Sequence, residues 1–84
     1  MSDHHPAIDP SAPRLIYLQL ADHIAGRIAA GELRPGDRLP AERDMATEYG
    51  VAYDTVRRAT AVLRERRLII TIVGRGTYIG DGSQ

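Results

Sequence analysis

The sequence predicts a mainly α domain with a small β-hairpin, an α+β fold. Apolar residues recur every three to four positions through much of residues 14–66, which is typical of helices that pack one face on a core. The pattern then changes to two short runs, LIITIV and TYI, on either side of GRG. Such runs around a glycine-containing turn predict a hairpin. The expected order is helix, strand, helix, helix, strand, strand.

Composition limits the chain to one small domain, and its charge is unevenly distributed. The 84 residues include no cysteine and carry 11 basic against 11 acidic side chains. Residues 43–78 nevertheless hold seven arginines against four acids, whereas residues 1–42 hold four against six. Either the second half binds an anionic partner such as nucleic acid, or the asymmetry is a chance fluctuation. All cations are arginine, which suits bidentate contacts but also follows from a GC-rich coding genome.

Both ends of the chain are expected to be flexible. Residues 1–13 hold three prolines and two histidines with few large apolar groups, which predicts a mobile tail. Residues 80–84 are expected to form a flexible end, leaving the folded domain at residues 14–79. The chain shows neither a signal peptide nor an apolar run of the roughly 20 residues that span a bilayer. A cytoplasmic protein is therefore expected.

The first helix is expected over about residues 14–30, where Gly31 ends it. Pro35 and Gly36 then predict a turn, and Leu39 anchors a short extended segment. The apolar side chains at helical spacing in this first helix are Tyr17, Leu20, Ala21, Ile24 and Ile28.

The second and third helices are predicted to meet at a tight turn. The second begins near Pro40, and the third runs over about residues 53–66. Ala46 allows the helices to cross closely, Gly50 permits a positive φ, and Val56 fills the angle between them. This spacing indicates a helix-turn-helix, with an ordinary αα-corner as the alternative. The core-facing side chains of the third helix are Val56, Ala59, Thr60 and Leu63.

The opposite face of the third helix is basic. Arg57 is the best candidate for a base contact, because arginine donates two hydrogen bonds to guanine O6 and N7. For Arg58, a phosphate contact and an ion pair with Asp54 both stay open. Asp54 either stabilises the helix N-terminus or accepts from a cytosine amino group. At 100° per residue the outward positions are Tyr53, Asp54, Arg57, Ala61 and Arg64, with Arg58 at the edge.

These residues resemble the amino-terminal winged helix-turn-helix domain of GntR-type bacterial transcription regulators. The matching segments are YLQLADHIAGRIAAGELRPGDRLPAERDMATEYGV, TVRRAT and GRGTYI. The resemblance covers about residues 14–79 and implies double-stranded DNA as the partner. It also implies that the third helix enters the major groove and that the hairpin, or wing, approaches the minor groove.

The resemblance assigns DNA contacts to individual residues. Arg43 matches an arginine that reaches the major groove, and Thr55 and Arg57 match contacts of the third helix. Arg75, between two glycines, matches the wing tip, since arginine suits a narrow, negative minor groove. Ala41 is expected to offer its backbone N–H to phosphate. The candidate DNA-binding residues are Ala41, Arg43, Ala52, Tyr53, Thr55, Arg57, Arg58, Gly74, Arg75, Gly76 and Thr77.

The chain departs from the family pattern at several positions. Ala52 and Tyr53 stand where relatives usually have Ser or Thr followed by Arg or Lys. Ala52 therefore cannot cap the third helix with its side chain, and the target sequence cannot be inferred from relatives. Arg67 stands where glycine is usual, so a left-handed conformation there is strained. The strand Ile69–Val73 is expected to be apolar on both faces.

A sequence-specific DNA-binding regulator of transcription, acting as a repressor, is the main functional hypothesis. The alternative is a winged-helix module that binds protein, which the zero net charge and the apolar strand favour. No enzyme activity, cofactor or metal site is expected, because the chain lacks cysteine and no general base accompanies a nucleophile.

Two hypotheses concern assembly. A weak homodimer is expected, above all on DNA, through the Ile69–Val73 strand or, as second choice, the outer face of the first helix. Larger relatives carry an additional effector-binding domain that dimerises. The chain, expected to lack that domain, is either a fragment or, as we favour here, a stand-alone regulator.

Overall fold

The elements follow the expected order. The computed structural model describes residues 5–81 of the chain. It contains α1 (Ile16–Ala29), α2 (Glu42–Tyr49), α3 (Tyr53–Glu65), β1 (Ile69–Ile72) and β2 (Gly76–Ile79). The two strands are antiparallel, and the hairpin register pairs Ile69 with Ile79 and Ile72 with Gly76. The predicted α+β fold is confirmed. No helix within residues 5–81 has the length and apolar character needed to cross a membrane.

The short strand expected between the first two helices is reduced to one bridge. It consists of a single β-bridge between Arg38 and Tyr78. Backbone hydrogen bonds flank the bridge, since the Leu39 N–H donates to Thr77 O at 2.8 Å and the Ile79 N–H to Asp37 O at 2.7 Å. Pro40 follows directly and has no N–H to continue the ladder. The segment nevertheless fixes the chain beside β2 and buries Leu39.

One hydrophobic core joins the helices to the hairpin. The faces predicted for the helices are the buried ones, and Tyr17 and Ile28 of α1 are half-buried against that core. Thr60 is the one buried polar side chain among the described residues. The core consists of Ile8, Leu20, Ala21, Ile24, Leu39, Met45, Tyr49, Val56, Ala59, Leu63, Ile69 and Ile79.

The turn between α2 and α3 has the conformation that its glycine predicts. Gly50 adopts φ 66° and ψ 37°, in the left-handed region. The Val51 N–H donates to Ala46 O at 3.1 Å, and the Gly50 N–H donates to Thr47 O at 3.4 Å. This pair of bonds satisfies two carbonyls at the end of α2 in a Schellman motif. The turn therefore sets a defined angle between α2 and α3.

The end of α3 uses the same motif without glycine. Arg67 has φ 63°, and it is the one non-glycine residue of the described chain with positive φ. The Arg67 N–H donates to Arg64 O at 3.0 Å, and the Leu68 N–H to Leu63 O at 3.0 Å. Because a side chain in the left-handed region costs roughly 1–2 kcal/mol, the expected strain at Arg67 is confirmed by its conformation.

Residues 5–13, which were expected to belong to a mobile tail, contact the folded domain. Ile8 is buried in the core, and the Gln19 amide clamps the backbone beside it. The Asp9 N–H donates to Gln19 Oε1 at 2.7 Å, and Gln19 Nε2 donates to Asp9 O at 2.9 Å. One apolar anchor and one polar clamp attach this segment despite its prolines. Residues 1–4 lie outside the described part of the chain.

His5 reaches the end of α2 from this segment. Its N–H donates to Tyr49 O at 3.3 Å, and its ring lies 4.6 Å from the Tyr49 ring and 5.5 Å from the His23 ring, between centroids. Burial, with the charge of His5 as a second cause, lowers the pKa of His23. The ring cluster thus favours a neutral His23.

Gly80, the first residue of the end that was expected to be flexible, is attached to the hairpin. Gly80 is buried, and its N–H donates to Leu68 O at 2.8 Å. This bond continues the hairpin ladder by one residue beyond Ile79. Residues 82–84 lie outside the described part of the chain.

Candidate nucleic-acid interface

The buried side of α3 packs on the core and thereby fixes which side chains of the helix face outward. Val56, Ala59 and Leu63 are fully buried. The buried Thr60 hydroxyl donates to Glu42 Oε2 at 2.6 Å, which joins α3 to the first turn of α2. Because the acceptor is a carboxylate, this hydrogen bond belongs to the stronger class. The face that carries Arg57 is therefore held in one orientation relative to α2.

The two adjacent arginines of α3 have different surroundings. Arg58 Nε lies 3.0 Å from Asp54 Oδ2, one helical turn earlier, and both side chains are about two-thirds exposed. Of the two expectations for Arg58, the ion pair is present; an exposed pair of this kind contributes only about 0.3–0.5 kcal/mol. Within residues 5–81, the Arg57 guanidinium has neither an ion pair nor a hydrogen bond.

Three of the candidate residues come together around one aromatic ring. Tyr53 is the first residue of α3 and is 41% exposed. The Arg43 Cζ, from α2, lies 5.0 Å from the centroid of its ring, and the Arg57 Cζ lies 6.0 Å from it. Both distances fall within the range of cation–π attraction. The major-groove candidates of α2 and α3 thus form one cluster.

The starts of α2 and α3 leave backbone donors open. Ala41 and Ala52 occupy the two N-cap positions, and neither helix has a side-chain cap hydrogen bond. Both alanines are exposed. The free N–H groups of a first helical turn attract anions. Thr55 lies in the first turn of α3 and is half-buried, so it presents less surface than Arg57.

The wing tip is exposed and separate from this cluster. Gly74 has φ 78° and Gly76 has φ 132°, conformations that favour glycine. Arg75 lies between them and is exposed; its N–H donates to Ile72 O at 2.9 Å and closes the turn. The Arg75 guanidinium has no partner within the described residues. The tip therefore projects one unpaired cation.

Thr77 has a structural contact that its candidate role did not include. Its hydroxyl lies 3.0 Å from that of Thr71, directly across the hairpin. Arg64 of α3 donates to the same Thr71 oxygen from Nη2 at 2.8 Å and from Nε at 3.2 Å. This chain of polar contacts ties α3 to the hairpin, so the helix and the wing are coupled.

Sequence reasoning gave no function to Arg64 and did not consider Arg38. An open cleft of about 230 Å³ lies between the start of α2, α3 and the hairpin, and both arginines line it. The Arg38 guanidinium packs on Gly76, where an added Cβ would meet Arg38 Nε at 2.8 Å. The outward position of Arg64 was visible in the helical period. The position of Arg38 follows from its bridge to β2, which the sequence does not reveal.

The outward side of β1 is apolar, as expected. Ile70 is 51% exposed and Ile72 is 45% exposed, and Val73 in the adjoining turn is 96% exposed. The inward side carries Ile69, which is buried, and Thr71, which binds Arg64. The structure thus corrects the expectation of two apolar faces, because only the outward one is uniformly apolar.

Metal ligands do not converge anywhere in the described chain. Residues 5–81 contain no group of three or more His, Asp or Glu side chains that could hold a metal ion. The side chains that converge are the cations and the aromatic ring at the starts of α2 and α3. This arrangement suits an anionic partner whose polar groups can accept hydrogen bonds from the arginines.

Comparisons with known proteins identify the domain. The family model described as bacterial regulatory proteins, gntR family, matches residues 16–79. The mannosyl-D-glycerate transport/metabolism system repressor MngR of Escherichia coli K12 is 48% identical over 66 residues, which are 79% of this chain and 28% of that repressor. The chain thus spans little more than a quarter of the length of that relative.

Solved structures show the same architecture. A transcriptional antiterminator from Listeria monocytogenes EGD-e superposes with a TM-score of 0.88 at 29% identity, over 99% of this chain and 62% of that one. YtrA from Sulfolobus acidocaldarius, a GntR-family transcription factor, gives 0.83 at 36% identity, over 95% of this chain and 82% of that one. The fold is a winged helix-turn-helix, and the chain belongs to the GntR family of bacterial regulatory proteins.

Proposed function

We propose that this chain binds double-stranded DNA sequence-specifically and regulates transcription, with α3 lying in the major groove. The observation that carries the proposal is the exposed cluster of Arg43 from α2 with Tyr53 and Arg57 from α3, a helix whose other side is fixed in the core. Arg57 has free donors for guanine O6 and N7. Arg43 reaches the same groove from α2, beside Thr55.

Phosphate contacts surround this base-reading centre. The open backbone N–H groups in the first turns of α2 and α3, next to Ala41 and Ala52, face phosphates of the DNA backbone. Arg58 reaches a phosphate by exchanging its exposed ion pair with Asp54, which costs little. Such contacts fix the orientation of the domain without carrying sequence information.

The wing adds a second groove. Arg75 enters the minor groove, with Gly74 and Gly76 allowing the backbone to approach closely, while Thr77 holds the two strands together. A narrow, A·T-rich minor groove has the strongest negative potential for this arginine. The wing therefore supplies shape-dependent preference beside the major-groove site.

Selection of duplexes from a random pool, followed by affinity measurements over a range of salt concentrations, tests the proposal. We expect one preferred sequence and a linear fall of log affinity with log salt, with a slope of about −0.9 per phosphate contact. Arg43→Ala and Arg57→Ala should lose the preference, whereas Arg14→Ala, which removes a cation on the exposed α1 side, should keep it. A chain that recovers no sequence and binds no duplex would contradict the proposal.

Whether the protein represses or activates transcription follows from its occupancy of DNA. A bound domain at a promoter excludes polymerase, and MngR is itself named a repressor. We therefore propose repression, by binding rather than by catalysis, in the cytoplasm and at the nucleoid. The test is transcription in vitro from a promoter that overlaps the selected site, where added protein should lower transcript yield.

A second copy of the chain is the proposed protein partner. One small module buries only on the order of 600–1,000 Å² on DNA, which limits discrimination among genomic sites. Ile70 and Ile72 on the outward side of β1, with the exposed Val73 in the adjoining turn, offer apolar surface for weak pairing. Two copies on adjacent half-sites would then bind cooperatively.

Sedimentation and titration onto paired half-sites test this pairing. Ile70→Glu should abolish cooperativity, whereas Leu15→Glu, at an exposed apolar residue next to α1, should leave it unchanged. Non-cooperative binding at every half-site spacing would contradict the proposed homodimer and leave DNA binding by single copies intact.

The same apolar surface favours a second candidate function, a winged helix that binds another protein. Net charge is zero over the whole chain, and this surface is the largest group of exposed apolar side chains near the hairpin. This candidate predicts duplex binding that is weak and identical for all sequences. Sequence preference in the selection experiment decides between the two functions.

A further inference from the structure

Tyr53 places an aromatic ring at the exposed start of α3. Its side chain stands outward at the start of α3, and its hydroxyl has no hydrogen-bond partner within residues 5–81. Its ring is the shared neighbour of two guanidinium groups, one from each helix of the helix-turn-helix. Its contacts therefore involve the ring rather than the hydroxyl.

The ring holds both arginines without using their hydrogen-bond donors. A cation over an aromatic face is attracted by the ring quadrupole, so the N–H groups at the guanidinium edge stay free. Neither Arg43 nor Arg57 has an ion pair or a side-chain hydrogen bond within the described residues. Arg58 shows the contrasting case, because the carboxylate of Asp54 neutralises its charge and takes one donor.

We propose that Tyr53 is a positioning residue for sequence readout, and this inference rests on the DNA binding proposed above. The ring places the Arg43 and Arg57 guanidinium groups side by side before DNA arrives. Base recognition by arginine needs a planar, bidentate approach to the edge of guanine. Prior placement lowers the ordering that binding would otherwise require, as preorganisation does in other interfaces.

The placement also sets the spacing of the two base contacts. Arg43 and Arg57 lie on different helices, and both guanidinium groups contact the same ring, which limits the distance between them. A cation at residue 53 would instead repel both arginines, since like charges at this distance disfavour each other. Tyr53 thus couples the two arginines into one recognition unit, which separate side chains would not form.

The test uses the full chain and the preferred duplex selected by the wild-type protein. Tyr53→Phe keeps the ring and should bind this duplex within about twofold of wild type. Tyr53→Leu removes the ring and should weaken binding about tenfold, because both arginines must then be ordered when the duplex binds. Binding to random duplexes should change far less, because phosphate contacts are retained.

Double-mutant cycles separate positioning from a structural effect. Tyr53→Leu should couple with Arg43→Ala and with Arg57→Ala, by about threefold or more in affinity. It should not couple with Arg58→Ala, since Arg58 is paired with Asp54. Without DNA, ring-current shifts of the Arg43 and Arg57 side-chain protons should be present in wild type and Tyr53→Phe and absent in Tyr53→Leu.

Each outcome has one meaning. If Tyr53→Phe and Tyr53→Leu both bind the preferred duplex as tightly as wild type, with no coupling to either arginine, the positioning role is overturned while DNA binding stands. A loss in Tyr53→Phe equal to that in Tyr53→Leu assigns the effect to the hydroxyl and also overturns it. Wild-type protein that prefers no duplex overturns the proposed function instead, and the ring-current shifts then report on the cluster by themselves.

Discussion

The helix-turn-helix and the hairpin are attached to the same core in different ways. On α3, Val56 and Leu63 are fully buried, whereas Ile70 and Ile72 of β1 are about half exposed. The helix is held by packing, and the hairpin by its base and by polar contacts from Arg64. Under the proposed function this difference is expected. Base readout requires accurate placement of side chains, while the wing needs only to project one cation into a groove.

The largest expected effect separates the two regions by stability. Leu63→Ala leaves a cavity under α3 and should lower the free energy of unfolding by about 2–5 kcal/mol, a large part of the total for a small domain. Ile72→Ala, on the outward side of β1, should change it by about 0.5 kcal/mol or less. Urea denaturation of both variants measures the contrast. Equal losses would show that the hairpin is packed as tightly as the helix.

The polar tie between α2 and α3 gives a smaller effect. Thr60→Val removes the donor to Glu42 and leaves that carboxylate without its 2.6 Å hydrogen bond. The free energy of unfolding should fall by about 1–3 kcal/mol. Thr47→Val, at an exposed threonine of α2, is the matched control and should be close to neutral. A neutral Thr60→Val would mean that water replaces the hydroxyl without cost.

The wing should contribute less to binding than α3 does. Arg75→Ala should weaken binding by up to about 1 kcal/mol, with the larger loss on sites whose flanks are A·T-rich, because a narrow minor groove attracts arginine most strongly. Affinities for one selected site with A·T-rich or G·C-rich flanks measure this. A loss that ignores the flanks would place Arg75 on phosphate.

The junction between the two regions carries the smallest expected effect, and it is stabilising. Arg67→Gly removes the left-handed strain at φ 63°, partly offset by the greater freedom of glycine in the unfolded chain. The free energy of unfolding should rise by about 0.5–1 kcal/mol. Thermal denaturation measures the change. Arg66→Gly, at the preceding residue with φ −77°, is the control. That variant should destabilise, and a similar change in both would refute the strain.

The sequence predicted the parts that depend on local pattern. The apolar period placed α3 within one residue and identified its buried face, and Gly50 and Arg67 marked the left-handed positions at the ends of α2 and α3. The β-branched runs on either side of GRG likewise placed the hairpin. These features depend on propensity and spacing, which a single sequence carries.

The remaining features depend on contacts between distant segments. The docking of Ile8 needs the clamp from Gln19, and the reduced first strand depends on its pairing with Tyr78. The ring contacts of Tyr53 with Arg43 depend on the crossing of α2 and α3. No periodicity reports such side-chain neighbours, so the cluster of Arg43, Tyr53 and Arg57 became visible only in the folded structure.

Base-by-base affinity of the Arg57→Ala variant tests the central account most directly. The wild-type chain and this variant are titrated against every single base-pair change in the selected site, with Arg58→Ala as the matched control from the next residue of α3. We predict that Arg57→Ala loses about 1–3 kcal/mol on the preferred site and becomes indifferent at one base pair, while Arg58→Ala weakens all sequences alike. A uniform loss for Arg57→Ala across preferred and random duplexes would contradict base readout by α3.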